Sequence, residues 1–212
     1  MSTGPAALDI DGLLTRTPTV RRRLDLTRPV PRPLLTECLR IALHAPNGAN
    51  RQNWRFLIID DPRTKAGIAR HYKATSDAYL AATPPGAMSE RAVAGVRYLA
   101  DHLHRVPALV LAAVHGRLPH DAPLAQQSGF FGSVYPALWS FMLAARSRGL
   151  GSALTTVHLA REREVAELVG IPADEVTQIA LLAVGHITGG PDFRPTPRRP
   201  LDEVLSWNRW QH

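Results

Sequence analysis

The sequence predicts a single domain in which helices and strands alternate in a three-layer α/β-type arrangement. Segments with helical spacing of apolar residues alternate with short apolar runs, and few hairpin signals join neighbouring runs. The chain has 212 residues, of which 45% are hydrophobic and 20% are charged, a profile typical of globular proteins. This length favours one domain over two. We therefore treat 1–212 as one domain.

The first half of the chain contains signals for helices and for one strand. Apolar residues repeat at helical spacing after Pro33, and Asp61-Pro62 is a typical helix start. The predicted elements are a short helix over 8–16, a helix from Pro33 to about His44, a strand over Phe56–Asp60, a helix from Pro62 to about Tyr72 and a helix from about Ser89 to His104.

The second half contains the strongest core signals. The run PALVLAAVHG (107–116) is continuously apolar, which predicts a strand buried on both faces. The segment 128–147 is apolar nearly all round, which predicts the longest helix, covered by its own fold and by a partner. The remaining elements are a strand over 152–157, a helix over Glu162–Val169 closed by Gly170, and a last strand over 177–187.

Several protein classes are excluded or disfavoured by what the sequence lacks. No stretch of about 18 apolar residues predicts a transmembrane helix, and the N-terminus lacks a signal-peptide pattern, so we expect a cytoplasmic protein. The single cysteine, Cys38, excludes a disulfide framework and a cysteine-based zinc site. Because Cys38 falls on the apolar face of a predicted helix, we expect a buried and inert thiol.

The chain is basic, with a net charge of +7, and Lys65 and Lys73 are its only lysines. Its arginines are spread along the sequence and form no basic-aromatic repeat, so a solvated basic surface is favoured over nucleic-acid binding. A third interpretation is that a few arginines bind an anionic cofactor.

Common catalytic and metal-binding patterns are largely absent from the sequence. No G-x-G-x-x-G fingerprint, phosphate-binding loop or nucleophile elbow is present. His102 and His104 are two residues apart on a predicted helix and face different sides, so they predict no metal site. The pair Asp60-Asp61 precedes Pro62 at a helix-capping position, and we assign it no catalytic role.

Three polar segments remain, and together they indicate a ligand. They are Arg21-Arg22-Arg23, the loop Asn47–Trp54, and Arg198-Arg199. Arginines bind phosphate through paired N–H donors, whereas a planar ring with carbonyl and imide edges is bound by amides and backbone N–H groups.

In order along the chain, these segments resemble the FMN-dependent nitroreductase family. The similar motifs cover about Val20 to Leu205 and read VRRRLDLTRPVP, APNGANRQNWRF, RYLADHLHRVPALVLAAV, SVYPALWSFMLAARSRGLGSALTT and RPTPRRPLDEVL. The resemblance implies an α+β, nitroreductase-like three-layer fold, in which a central mixed sheet is flanked by helices in an intertwined homodimer. It also implies that residues 190–212 form an arm onto the partner subunit and that 73–91 form a substrate lid.

The same resemblance implies an FMN-dependent oxidoreductase with ping-pong kinetics. NADH or NADPH gives hydride to the flavin, and a nitroaromatic, quinone or related small acceptor is then reduced. The flavin does the chemistry, so no catalytic side chain, metal, nucleic acid or membrane is expected. The implied cofactor-binding residues are Arg21, Arg22, Arg23, Asn47, Gly48, Asn50, Gln52, Leu154, Thr155, Thr156, Val157, Arg198 and Arg199.

This sequence departs from the family pattern at three places. Pro18 stands where many relatives have an arginine, Asn53 replaces the proline of a Gln-Pro-Trp motif, and Thr155-Thr156 replaces an acidic residue near the flavin N5. Two alternatives therefore stay open: a specialised flavoenzyme of this fold, dehalogenase-like or flavin-modifying, and a non-catalytic flavin- or nucleic-acid-binding module.

Overall fold

A computed structural model describes residues 9–190 and 192–211, and their helices and strands follow one another in the order that the sequence predicts. The helices are α1 Ile10–Thr15, α2 Arg32–Ala42, α3 Pro62–Ala82, α4 Glu90–His102, α5 Leu124–Gly132, α6 Tyr135–Ser147 and α7 Glu162–Val169. The strands are β1 Trp54–Ile59, β2 Ala108–His115, β3 Leu150–Thr155 and β4 Val176–His186. Short 3-10 helices cover Gly48–Asn50, Leu103–Arg105, Val157–Arg161 and Leu201–Glu203.

The four strands form one sheet in the order β1-β2-β4-β3, and all three pairings are antiparallel. The expectation of a mixed sheet is therefore wrong for the described strands. One isolated parallel bridge, between Gly116 and Val176, lies outside the strand ladders. Two helices in mutual contact, α3 and α4, connect β1 to β2. These two helices bring the chain back to the end of the sheet that β1 left, so β2 runs in the direction opposite to β1. The alternation of helices and strands along the sequence does not show whether neighbouring strands run parallel or antiparallel.

The predicted three layers are confirmed, with hydrophobic clusters on both faces of the sheet. In β2, Leu109 and Leu111 belong to the cluster that contains side chains of α3, α4 and α7. Val110 and Ala112 point to the opposite face and belong to the cluster with side chains of α2 and α6. Alternate side chains of a strand point to opposite faces, so a continuously apolar strand belongs at the centre of such a sandwich.

Two predicted helices have different boundaries in the structure. The segment predicted as one helix over 128–147 is two helices, α5 and α6, which are separated at Ser133–Val134. Pro136 lies in the first turn of α6, where a residue without an N–H starts a helix but does not continue one. Helix α3 extends to Ala82, well beyond Tyr72, and its inward-facing Ser76 is fully buried. That polar residue at a core position hid the helical pattern.

The residues that we excluded from catalysis have structural roles. Cys38 is fully buried, and burial raises the pKa of its thiol. Asp61 caps α3 by accepting a hydrogen bond from the Thr64 N–H at 2.7 Å, and Asp60 pairs with Arg32 at 2.6 Å. Within 9–190 and 192–211, no helix is long and apolar enough to cross a membrane, and no group of three or more His, Cys, Asp or Glu could hold a metal ion.

Candidate cofactor site

The basic segment, residues Val20–Asp25, lies across the ends of β3 and β4. The Val20 N–H donates to the Ser152 carbonyl at 2.9 Å, and the Asp25 N–H donates to the His186 carbonyl at 2.8 Å. A Cβ at Gly151 would lie 2.9 Å from Cβ of Val20, closer than side-chain atoms approach one another. Gly151 in the GLGS motif therefore allows the basic segment to pack against β3.

The three consecutive arginines of the basic segment line three different cavities. Arg21 shares a cavity of about 630 Å³ with Leu154–Val157, and we name it the β3 cavity. Arg22 lines a cavity of about 510 Å³ beside α4, and Arg23 lines a cavity of about 860 Å³ with Arg198. The structure thus joins the basic segment to Leu154–Val157 through Arg21 and to Arg198 through Arg23.

The β3 cavity presents polar donors at its wall. Tyr72 Oη lies 3.2 Å from Thr155 Oγ1, and this hydroxyl accepts a hydrogen bond from the Val157 N–H at 3.3 Å. The Thr156 N–H donates to no acceptor among the described residues. Of the predicted stretch Leu154–Val157, Thr156 therefore offers a free backbone donor, whereas the Val157 N–H is already bonded. Arg21 adds a cation to the same cavity.

The segment 73–91, predicted as a lid, supplies another wall of the β3 cavity. Most of this segment is helical, because 73–82 continue α3 and 90–91 begin α4, and residues 83–89 connect the two helices. Thr75, Tyr79 and Met88 line the cavity. Tyr79 Oη donates a hydrogen bond to Met88 Sδ at 3.8 Å, which ties the turn back to α3.

Arg23 holds the start of the C-terminal arm, the described part of which is 192–211. Its guanidinium donates to four backbone carbonyls, those of Thr188, Gly189, Gly190 and Asp192. It also lies 4.2 Å from the ring centre of Phe193, and the guanidinium of Arg146 lies 5.0 Å from the same ring. Four of its five N–H groups are therefore used within the chain. Sequence reasoning missed this role because the carbonyls follow Arg23 by more than 160 residues.

Arg198 and Arg199 are exposed on the C-terminal arm, which has little regular structure. Arg198 lines the 860 Å³ cavity together with Arg91, Arg194 and Pro18. Arg199 is not among the lining residues of any cavity described above.

The Asn47–Trp54 loop lies away from the β3 cavity and is largely held by its own side chains. Asn47 Oδ1 accepts from the Gln52 N–H at 3.1 Å, and Gln52 Nε2 donates to Asn50 Oδ1 at 3.0 Å. The Gly48 N–H donates to Ser133 Oγ at 3.0 Å. The loop lines its own cavity of about 350 Å³, which shares no lining residue with the β3 cavity.

His158 is a buried residue that sequence reasoning missed. It follows Val157, is fully buried, and neither ring nitrogen has a hydrogen-bond partner among the described residues. Burial lowers its pKa to about 4, although the Glu162 carboxylate acts in the opposite direction. A single histidine in an apolar stretch carries no sequence signal for such an environment.

The chain is similar in sequence to a known protein family and to two bacterial enzymes. The sequence model of the family described as "Nitroreductase family" matches residues 15–186. The chain is 29% identical over 193 residues to an NADH dehydrogenase of Thermus thermophilus, a match that covers 84% of this chain and 87% of that protein. It is 28% identical over 167 residues to an iodotyrosine deiodinase of Thermotoga neapolitana, covering 79% and 81%.

A solved structure shows the same similarity in three dimensions. Oxidised iodotyrosine deiodinase bound to FMN and 3-iodo-L-tyrosine matches with a TM-score of 0.71 and 27% sequence identity. The match covers 94% of this chain and 98% of that one.

Proposed function

The chain belongs to the nitroreductase family, and from this premise we propose that it is an FMN-dependent oxidoreductase. In this proposal NADH or NADPH is the reductant and a nitroaromatic, a quinone or a related small molecule is the acceptor. The main observation that supports the proposal is that Arg21 and the free Thr156 N–H line the same cavity. We also propose that the reaction takes place in the cytoplasm, where NADH and NADPH are available.

The β3 cavity fits a flavin ring in size and in chemistry. Its volume of about 630 Å³ lies within the usual range of small-molecule sites. Apolar side chains such as Leu154 and Val96 would pack on the ring, the Thr156 N–H would donate to a ring acceptor, and Arg21 would balance negative charge. Bound FMN supplies hydride transfer, accepting two electrons and a proton from NAD(P)H and delivering them to the acceptor.

We further propose that two chains complete each site in a homodimer. The amides of the Asn47–Gln52 loop lie outside the β3 cavity of their own chain, so a partner would supply them. Helix α6 is a smaller interface than the sequence predicts, since six of its apolar side chains are buried within the chain. Its Trp139 remains 38% exposed, and Trp207 and Trp210 of the C-terminal arm are 74% and 84% exposed. Exposed aromatic side chains of this size are typical of an interface.

This arrangement gives the thirteen candidate residues different roles. Arg21 and Leu154–Val157 would contact the ring from one chain, and Asn47, Gly48, Asn50 and Gln52 from the other. Arg198 or Arg199 would bind the phosphate, and Arg23 would position their arm. Arg22 lines the neighbouring cavity beside α4, where it would contact the acceptor rather than the flavin.

An anaerobic absorbance spectrum of the purified protein tests the proposal. We expect a yellow protein whose flavin absorbance is bleached by NADH or NADPH and is restored by one equivalent of a quinone, which takes up two electrons and two protons. A yellow protein that NAD(P)H does not bleach contradicts the proposed reductant. A colourless protein that retards DNA in a gel contradicts the flavin proposal and supports the nucleic-acid alternative.

Reductive dehalogenation is a second candidate, favoured by the deiodinase relatives. In that reaction an aryl–iodine bond breaks and an aryl–hydrogen bond forms, with consumption of two electrons and one proton and release of iodide. Iodide release from 3-iodotyrosine by the reduced protein, measured beside quinone reduction, separates the two candidates. A kcat/KM for deiodination at least as large as that for quinone favours the dehalogenase.

A further inference from the structure

We propose that the cavity beside α4 is a binding subsite for a carboxylate group of the acceptor. The subsite, which we name the α4 subsite, has a volume of about 510 Å³, and its lining includes Arg22, Met88, Arg97, Tyr98, His102 and the acids Glu90 and Asp101. The inference rests on the proposed function, since it specifies the substrate class for the reaction in the β3 cavity.

The α4 subsite adjoins the β3 cavity. Met88 lines both cavities, and the successive residues Val96 and Arg97 of α4 line one each. The two cavities therefore lie side by side at Met88. Methionine is unbranched and flexible, so the Met88 side chain can change its rotamer to admit a ligand that extends from one cavity into the other.

Two guanidinium groups at the subsite are available to bind an anion. Neither Arg22 nor Arg97 takes part in an ion pair within the described residues. The carboxylate of Asp101 is paired with Lys73 at 2.5 Å, so Glu90 is the one lining acid without an ion pair in the described part of the chain. Arg22 and Arg97 therefore keep N–H donors available for an anion, while Lys73, which also lies 3.7 Å from Asp77, takes up the Asp101 carboxylate.

The shape and chemistry of the subsite favour a planar carboxylate over a simple inorganic ion. The rings of Tyr98 and His102 stack with their centres 4.2 Å apart and their planes at 21°, which gives the cavity a flat aromatic wall. A guanidinium binds a carboxylate through two parallel N–H···O hydrogen bonds. The proposed acceptors are therefore small planar molecules that carry a carboxylate beside the reducible group.

Calorimetric titration with a matched pair of ligands tests the subsite. 4-Nitrobenzoate carries the carboxylate, and 4-nitrobenzyl alcohol is a neutral molecule of similar size. We expect the protein as isolated to bind the carboxylate about tenfold more tightly, and Arg97→Gln to abolish this preference with less than about twofold change for the alcohol. Arg70→Gln, an exposed arginine of α3 that lines none of these cavities, is the matched control and should change neither affinity.

Kinetics provide a second measurement on the same variants. With NAD(P)H as reductant, Arg97→Gln should raise KM for 4-nitrobenzoate about tenfold and leave kcat and the alcohol unaffected. Equal binding of the two ligands by the parent, or equal weakening of both by Arg97→Gln, overturns the subsite. A carboxylate preference in a protein that NAD(P)H does not reduce overturns the oxidoreductase proposal alone, so the two failures are distinguishable.

Discussion

The β3 cavity and the Asn47–Trp54 loop are the two parts of the proposed flavin site, and their own chain supports them to very different extents. In the β3 cavity, Tyr72 and Thr155 are 2% and 9% exposed, and their hydroxyl groups are bonded to each other. In the loop, Gly48, Asn50 and Gln52 are all exposed. The loop is anchored in the core only at its end, where Trp54 is 6% exposed, and its predicted flavin-binding residues lie nearer the surface.

This difference in burial and hydrogen bonding indicates which half of the proposed site is preorganised in the absence of a ligand. Donors that are already fixed lose little conformational entropy on binding, which favours the β3 cavity as the primary contact surface. The loop instead holds Ala49, Asn50 and Gln52 at left-handed φ values of 52°, 52° and 49°. Each such residue costs on the order of 1 kcal/mol, and backbone strain of this kind concentrates at functional sites. This strain supports the proposal that the loop contacts a ligand held by a partner chain.

Removal of Arg21 is expected to give the largest effect and tests the preorganised half directly. Arg21→Ala should weaken FMN binding by about 2–5 kcal/mol, or roughly 30-fold to several thousand-fold, because a desolvated anionic group loses its cation. Arg21 donates no hydrogen bond to the described residues, so the melting temperature of the flavin-free protein should stay unchanged. Fluorescence titration of the flavin-free protein with FMN gives the affinity.

Two other arginines serve as controls for Arg21. Arg23→Ala should lower both FMN affinity and the stability of the flavin-free protein, because it removes the four hydrogen bonds to the start of the C-terminal arm. Arg163, whose exposed side chain pairs with Asp174 at 3.1 Å, should be neutral within about 0.5 kcal/mol when replaced by alanine. If Arg21→Ala binds FMN as tightly as Arg163→Ala does, the β3 cavity is not the cofactor site.

Features of the fold that depend on neighbouring residues were predictable from the sequence. Strand β2 is continuously apolar, and it is buried on both faces as expected. Gly170 ends α7 with φ of 71°, a conformation that glycine adopts without strain. The break between α5 and α6 carried a local signal in Pro136, but the continuous apolar pattern around it outweighed that signal in our prediction.

Features that depend on distant parts of the chain were not predictable. The motif Arg21-Arg22-Arg23 reads as one basic cluster, yet its residues face three cavities because Val20 is bonded to β3 and the Arg23 carbonyl accepts from the Thr188 N–H. The antiparallel direction of β1 and β2 likewise depends on how α3 and α4 pack. Resemblance located the candidate site along the sequence, and only the tertiary contacts divided its residues among separate cavities.

A pH titration of His158 sharpens the comparison, because this histidine lies beside the β3 cavity and the loop has no group that titrates near neutral pH. Its pKa is lowered from 6.5 to about 4 by burial, so the unfolded chain binds an additional proton between these values. The free energy of unfolding should therefore be unaffected by His158 above about pH 6.5 and should fall by roughly 3 kcal/mol as the pH decreases to 4.

Denaturant unfolding of the parent and of His158→Phe at pH 7.5 and pH 4.5 measures this effect. Carboxylates titrate in both proteins, so the difference between their pH dependences isolates the histidine. The parent should lose more stability than the variant on acidification. Equal losses would show that the His158 ring is hydrogen-bonded or hydrated in solution.

The smallest expected effect concerns the loop and requires a substitution that tolerates its backbone. Asn50 has φ of 52°, so alanine would add strain, whereas Asn50→Gly removes the amide and fits the same conformation. We expect Asn50→Gly to weaken FMN binding by about 1–3 kcal/mol, because a ring group loses its amide partner. Titration with FMN and thermal melting of the flavin-free protein separate this loss from a change in folding.

Co-expression of the two variants then tests whether each site is shared between chains. In a dimer of one Arg21→Ala chain and one Asn50→Gly chain, shared sites place both substitutions in one site and leave the other intact. Random pairing makes half of the dimers mixed, so about one tight FMN site per four chains should reappear, although neither variant alone has any. If each chain used its own loop, every site in the mixed dimer would carry one substitution and no tight binding would return. This outcome would show that the loop contributes to the flavin site of its own chain, as the β3 cavity does, and that no partner chain is needed.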